Sequence, residues 1–323
     1  MSLKQASSTD LTLPSTKILS NKRDAVGKDL RDHWQLYLMA LPAVLAILIF
    51  GYGPLFGLSI AFLNYSPARG ILESPFVGLK NFQDAFNNPF FRTAFQNSVI
   101  IQTLKLAVGF PSAIILALLL NEMRLQWFKK TVQTATMLPY FLSWVIAGTM
   151  FRNLLGPNGV VNEVLVNSLG LQPVTFLSDP EIFRWIIIFQ DTWKYIGYFA
   201  VLYLAAITTI DPALYEAAMV DGANRWQQIR HITLPGISRT MMTLLVLLTG
   251  YIFAGGFEQM WVMYNASVYK TADILETFTA RLGLQQSRYS FATAVGLFQS
   301  LLSLGLVLLT NRISKWFNQE GLF

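Results

Sequence analysis

The sequence contains no cysteine and only two histidines, His33 and His231. Without thiols there are no disulfides, Cys-ligated zinc sites, iron–sulfur clusters or thiolate nucleophiles. Two histidines so far apart in the chain argue against a His-based metal site or a catalytic triad, although carboxylate chemistry stays open. Charge is scarce too. Asp, Glu, Lys and Arg make up 13% of the 323 residues, against roughly a quarter in soluble domains. No segment matches the G-x-x-x-x-G-K-[S/T] phosphate loop, so the usual backbone-amide cradle for nucleotide phosphates is missing. The first thirty residues also lack the short apolar run that follows a basic start in a secretory signal. Residues 1–33 are polar, rich in Ser, Thr and Lys, and are expected to form a flexible cytoplasmic tail.

What the chain has in quantity is apolar side chains. Hydrophobic residues reach 53% and the mean hydropathy is +0.44. The polar residues are too few to coat the two or so soluble domains that this length would make, so lipid is the expected solvent. A bilayer core about 30 Å thick needs about 20 apolar helical residues. Six stretches qualify: 35–63, 97–120, 135–155, 186–208, 241–264 and 292–310. The expected fold is therefore an all-α membrane domain with six transmembrane helices over residues 34–323. Most of the Lys and Arg residues fall in the N-terminal tail, the 121–134 and 209–240 connections and the C-terminus. That bias predicts that both termini and these two connections are cytoplasmic. It also explains the net charge of +6 without invoking nucleic acid. Residues 64–96, 156–185 and 265–291 are then outside loops.

The 209–240 connection reads as two short helices around a tight bend. Asp211 suits an N-cap and Pro212 a first helical turn, where its missing N–H costs nothing. Asp221-Gly222 is a turn dipeptide whose glycine accepts a positive φ. Ala223 to Ile232 form the second helix, and Pro235 stops or kinks it. Trp226, Ile229, Ile232 and Thr233 recur at helical spacing and make one face apolar, while Arg225 and Arg230 stay available to water or an acidic partner.

The string EAAMVDGANRWQQIRHITLPGI, residues 216–237, resembles the EAA loop of permease subunits from bacterial binding-protein-dependent ABC importers. Glu216-Ala217-Ala218, Gly222, Ile232, Leu234 and Pro235 fit that pattern without a gap. The similarity extends over about residues 34–323. WQLYLMALPAVLAILIFGYGPLFGLSIAF and SPFVGLKNFQDAF look like the first span and following loop of sugar-type permeases. NYSPARGI, FEQMWVMYNASVYKTADILETFTARLGL and SFATAVGLFQSLLS are similar to the LplB-like subgroup, which handles oligosaccharides and polysaccharide fragments. The resemblance implies a type I importer (MetI-like) permease fold in the bacterial cytoplasmic (inner) membrane. It further implies a second homologous permease subunit, two ATP-binding subunits that carry ATP and Mg, and an extracytoplasmic solute-binding protein. No cofactor is expected in this chain itself, nor a catalytic or metal site. Glu216, Ala217, Ala218, Asp221, Gly222 and Arg225 are the ATPase-coupling candidates by this carry-over. The cargo that the resemblance implies is an oligosaccharide or polysaccharide fragment, either acidic, such as alginate, or neutral.

Ionisable and aromatic groups within spans mark the candidate path, since charge in a bilayer is costly. Lys105 lies in the second span. Asp191 and Lys194 lie in the fourth, at an i,i+3 spacing that allows a salt bridge. They line a polar cavity or form an internal ion pair. Trp193 and Trp261 suit either stacking on sugar rings or helix packing. Glu258, Gln259 and Asn265 follow Gly255-Gly256, a pair that permits close helix contact or local unwinding. Arg281 and Arg288 are available to a binding protein or belong to an ordinary solvated loop. Two other classes stay open: a membrane enzyme acting on lipid-linked sugars, for which no acidic cluster is apparent, and a scaffold or sensor that docks an ATPase without transport.

Overall fold

The computed structural model describes residues 31–316, so the tail expected over 1–33 lies almost wholly outside the described residues. The chain divides into two compact units, one ending at Ser59 and the other starting at Ile60. The first unit is built on α1 (Trp34–Phe62), whose end runs into the second unit. It opens as a regular α-helix over Trp34–Ala46, widens into a π turn at Ile47–Tyr52 and tightens to a 3-10 helix over Gly53–Phe62. Pro54, which has no backbone N–H to donate, falls at the second change of pitch.

The second unit contains thirteen further helices among the described residues. They are α2 (Lys80–Phe86), α3 (Pro89–Glu122), α4 (Gln126–Met137), α5 (Trp144–Leu155), α6 (Val160–Leu169), α7 (Pro180–Ile207) and α8 (Pro212–Val220). After these come α9 (Arg225–Gly236), α10 (Ser238–Ala254), α11 (Phe257–Met263), α12 (Tyr269–Ala272), α13 (Leu275–Ala280) and α14 (Tyr289–Trp316). By length and composition α1, α3 and α14 can each cross a bilayer, and three bent pairs raise the number to six. The bends measure 103° between Gln126–Phe141 and Trp144–Leu169, 73° between α7 and α8, and 59° between α9 and α10. α3 starts well before residue 97 because Asn88 accepts a bond from the Phe90 N–H at 2.9 Å and Pro89 occupies the first turn.

Two expectations need correction. The third span is not one helix over 135–155, because a 3-10 turn at Leu138–Phe141 interrupts it. Pro139 removes a donor there, and the Ser143 hydroxyl caps the new helix by accepting the Ile146 N–H at 3.3 Å. Residues 265–291, expected as an outside loop, are not an irregular connection either. They fold into α12, α13 and a π turn at Arg281–Gln285, with Val268, Ala272, Ile274, Leu275 and Phe278 buried. Their apolar residues recur three or four apart, the spacing of a helix face.

Packing is organised around α3 and α7. Ala113 and Ala117 of α3 lie in one buried cluster with Ala200, Tyr203 and Ile207 of α7 and with Ile237. Small residues let the two helices approach closely, the usual basis of association in lipid. A second cluster joins Ile101, Ile187, Met260 and Ile274. A third joins Phe91, Phe253, Phe278 and Phe291, with Phe95 stacked on Phe253 at 5.5 Å.

Candidate functional site

Two broken helices supply the geometry around the candidate path residues. Between α10 and α11, Gly255 is extended and Gly256 has φ +97°, a backbone that L side chains rarely adopt. A break at membrane depth leaves carbonyls without helical donors, and these need protein partners. Gln102 Nε2 donates to the Gly255 carbonyl and Gln299 Nε2 to that of Phe253. A Cβ at Gly256 would come within 2.6 Å of Gln102 Nε2, so a side chain there must displace the Gln102 amide from the Gly255 carbonyl as well as adopt a strained torsion.

Just below the break, Lys105 Nζ lies 3.0 Å from Asp191 Oδ1 and donates to Gln259 Oε1 at 2.6 Å. Gln259 is fully buried and donates in turn to the Ile187 carbonyl and to Gln190 Oε1. The spacing of Asp191 and Lys194 suggests a mutual salt bridge, but each has another partner. Lys194 donates to the carbonyls of Pro139, Tyr140 and Leu142. These carbonyls are exposed by the break between α4 and α5, and they use all three donors of the ammonium. One turn along, Gly197 meets that break so closely that an added Cβ would overlap the Thr136 backbone.

A cavity of about 500 Å³ opens beside these groups. Its wall includes Gln102, Lys105 and Asp191 together with Tyr140, Tyr195, Tyr198 and Tyr251. Tyr140 and Tyr198 stack at 4.3 Å with an interplanar angle of 6°. The tyrosines were not singled out from the sequence. Tyr195 and Tyr198 share the helix face of Asp191, at spacings of four and seven, a signal that was legible. Tyr140 sits in the break, where periodicity gives none.

The remaining path candidates lie elsewhere. Trp193 packs edge-on against Phe151 at 5.3 Å, and Glu258 is exposed. Trp261 belongs to a ring series with Phe257 and Tyr264. Asn265 donates to the Leu177 carbonyl and caps the turn at Ser267. Arg281 pairs with Asp273 through both guanidinium nitrogens and lies over the Tyr269 ring. Burial works against its charge, but Asp273 and Tyr264 together outweigh that and raise its pKa above the ordinary value. Arg288 lies over Phe291 at 4.6 Å.

The α8–α9 hairpin forms as its residues dictate. Asp211 Oδ1 accepts the Ala213 N–H at 2.9 Å. Gly222 has φ +77°, and its N–H bonds to the Met219 carbonyl while that of Ala223 bonds to Ala218. That pair of bonds is the Schellman closure of a helix. α9 opens with a capping box between Asn224 and Gln227, not at Ala223. Its inner face carries Gln228 and Thr233, whereas Trp226 is 67% exposed, so the apolar face expected on this helix is only partly turned inward. Tyr215 and Thr233 share a hydroxyl contact of 3.0 Å across the hairpin, and Arg225 lies 3.9 Å from Glu122 at the end of α3. Among the described residues α8 buries no side chain. Glu216, Ala217, Asp221 and Gly222 are exposed and Ala218 is half-buried.

Residues 109–320 match the family model of binding-protein-dependent transport system inner membrane components. The chain belongs to that family. It is 44% identical over 89% of its length, and 90% of the relative's, to the polygalacturonan/rhamnogalacturonan transport system permease protein YteP of Bacillus subtilis (strain 168). It is 42% identical to protein LplB of the same organism, over 91% of this chain and 92% of that one. Its fold matches, at a TM-score of 0.84 and 42% identity, a chain from the crystal structure of a bacterial alginate ABC transporter in complex with alginate pentasaccharide-bound periplasmic protein. That match covers 91% of this permease and 99% of the other chain. The all-helical, multi-span permease fold expected from the sequence is thus the fold the chain has, and the membrane is its setting.

Proposed function

We propose that this permease is one half of the membrane channel of an ATP-driven importer in the bacterial cytoplasmic membrane, and that its cargo is an acidic oligosaccharide. The observation that carries the cargo is the agreement between relatives: permeases at 44% and 42% identity are described for polygalacturonan/rhamnogalacturonan and for alginate. The tyrosine-lined cavity supports it, because aromatic rings offer sugars a broad apolar face with a polar edge. A soluble binding protein delivers the cargo on the outside. A second permease completes the channel, and two ATPase subunits supply the energy by binding ATP and Mg. The exposed α8 helix, with Glu216, Ala217, Ala218, Asp221, Gly222 and Arg225 at its end of the molecule, docks on an ATPase. Both termini are cytoplasmic.

ATP binding and the loaded binding protein then favour the same outward-open state, as coupling through differential binding requires. The test is accumulation of labelled uronic-acid oligomers in proteoliposomes holding the co-expressed complex, its binding protein and internal ATP. ATP-dependent uptake of these oligomers, competed by unlabelled uronates, is expected. Uptake of neutral oligosaccharides alone would overturn the cargo. ATP hydrolysis with no accumulation of any sugar would make the chain a docking scaffold.

A further inference from the structure

A permease that carries polyanions would be expected to present cations to its cargo, yet the cavity wall does not. Of the described residues lining the cavity, Lys105 and Asp191 are the charged ones, and they face each other at 3.0 Å. Lys105 is 6% exposed and Asp191 24%, so the carboxylate lies nearer the open space than the ammonium. Gln259 holds the ammonium from behind at 2.6 Å. Gln259 is itself fixed on the Ile187 carbonyl at 2.8 Å, so Lys105 cannot turn to the cavity without abandoning a buried acceptor. The other buried lysine, Lys194, gives its protons to three backbone carbonyls and does not line the cavity.

We propose that the Lys105–Asp191 pair determines the charge tolerance of the path: each group cancels the other, so this permease's wall is neutral and cargo is guided by tyrosine rings and hydroxyls. The proposal rests on the oligosaccharide-import function above and deepens it. A bare carboxylate at 191 would repel each uronate in a medium that screens poorly, and a bare ammonium would hold each one and slow its release. The pair removes both effects. Charged and neutral sugars then pass alike once delivered, and discrimination by charge belongs to the binding protein.

The test measures, in the complete reconstituted complex, the ratio of initial uptake of a uronic-acid oligomer to that of its carboxyl-reduced neutral counterpart. The binding protein is the same throughout, so its own preference cancels between variants. Lys105→Met leaves Asp191 unpaired and is expected to lower the ratio by about tenfold or more, the size of a single close charge effect. Asp191→Asn leaves the ammonium unpaired and is expected to lower the half-saturating concentration and the maximal rate for the uronate together, with the neutral sugar unchanged. The double variant Lys105→Met/Asp191→Asn removes both charges without stranding either, and is expected to restore the wild-type ratio to within about twofold. Where a single variant fails to assemble, the double variant decides alone. A double variant whose ratio falls would show that the ammonium itself reads carboxylates, and single variants with the wild-type ratio would show that the pair is only a packing element. Either result overturns the proposal while import stands. A wild-type complex that imports neither sugar overturns the transport function and this inference with it.

Discussion

At the scale of single residues, Lys194 shows why a charged side chain within a span is not automatically a cargo contact. Its ammonium has three donors and no acceptor, and three carbonyls freed by the turn at Leu138–Phe141 take them up. Trp144 and Tyr195 present ring faces at 5.4 and 5.7 Å, adding cation–π attraction. The Pro139 carbonyl also accepts the Leu142 N–H, so the loss falls on those of Tyr140 and Leu142, and a carbonyl left unsatisfied costs about 1–3 kcal/mol. Lys194→Met is therefore expected to lower the thermal midpoint of the purified complex by several degrees, and Lys194→Gln by less, because an amide restores some of the bonds. An unchanged midpoint in Lys194→Met would mean that these bonds hold nothing. Gly256 makes a companion case. Gly256→Ala must move Gln102 out of a 2.6 Å contact and accept a positive φ. The expected outcome is loss of folded protein, measured as the monodisperse fraction on size-exclusion chromatography, whereas Gly57→Ala, which meets no atom within 4 Å, is expected to be neutral.

At the scale of elements, the hairpin separates local conformation from contact. Nothing lies within 4 Å of a Cβ built on Gly222, so its φ of +77° is the sole demand on that position. A left-handed residue other than glycine costs about 1–2 kcal/mol, and asparagine least among them. Gly222→Asn is expected to keep substrate-stimulated ATP hydrolysis near wild type, and Gly222→Val to lose most of the stimulation while basal hydrolysis continues. Equal coupling in both variants would remove the bend from the mechanism.

The hairpin was legible in the sequence because its determinants are neighbours: Asp211 before Pro212, and Asp221 before Gly222. The Gly255-Gly256 break was legible for the same reason, since two glycines announce themselves. The break at 138–143 was not, because Pro139 inside an apolar run reads as a proline that a membrane helix tolerates. The Asp191 partner was hidden too. The i,i+3 spacing offered Lys194, but the real partner, Lys105, belongs to another helix, and Gln259, which anchors it, to a third. Only packing brings them together. The helices within residues 265–291 were not legible, because Lys270, Asp273, Glu276 and Arg281 mask a buried apolar stripe, and because Asn97 and Ser98, which hold the segment through the Asp273 carbonyl and the Leu275 N–H, lie far away in the chain.

At the scale of the whole molecule, the absence of cysteine becomes an experimental asset, since any introduced thiol is the sole one in this chain. Val220, at the end of α8, is 88% exposed and Leu72, in the segment before α2, is 99% exposed. The distribution of Lys and Arg predicts position 72 outside and position 220 in the cytoplasm. In spheroplasts a membrane-impermeant maleimide is expected to label Leu72→Cys and to spare Val220→Cys. Permeabilisation opens position 220 to the reagent, and co-expression of the ATPase subunits closes it again by covering α8. These steps test different claims: the first concerns orientation, the last concerns docking. Labelling of Val220→Cys in sealed spheroplasts would put the hairpin on the side of the binding protein, where no ATPase can reach it. Labelling that persists beside the assembled ATPases would leave α8 exposed in the working complex, and coupling would then have to pass through another surface.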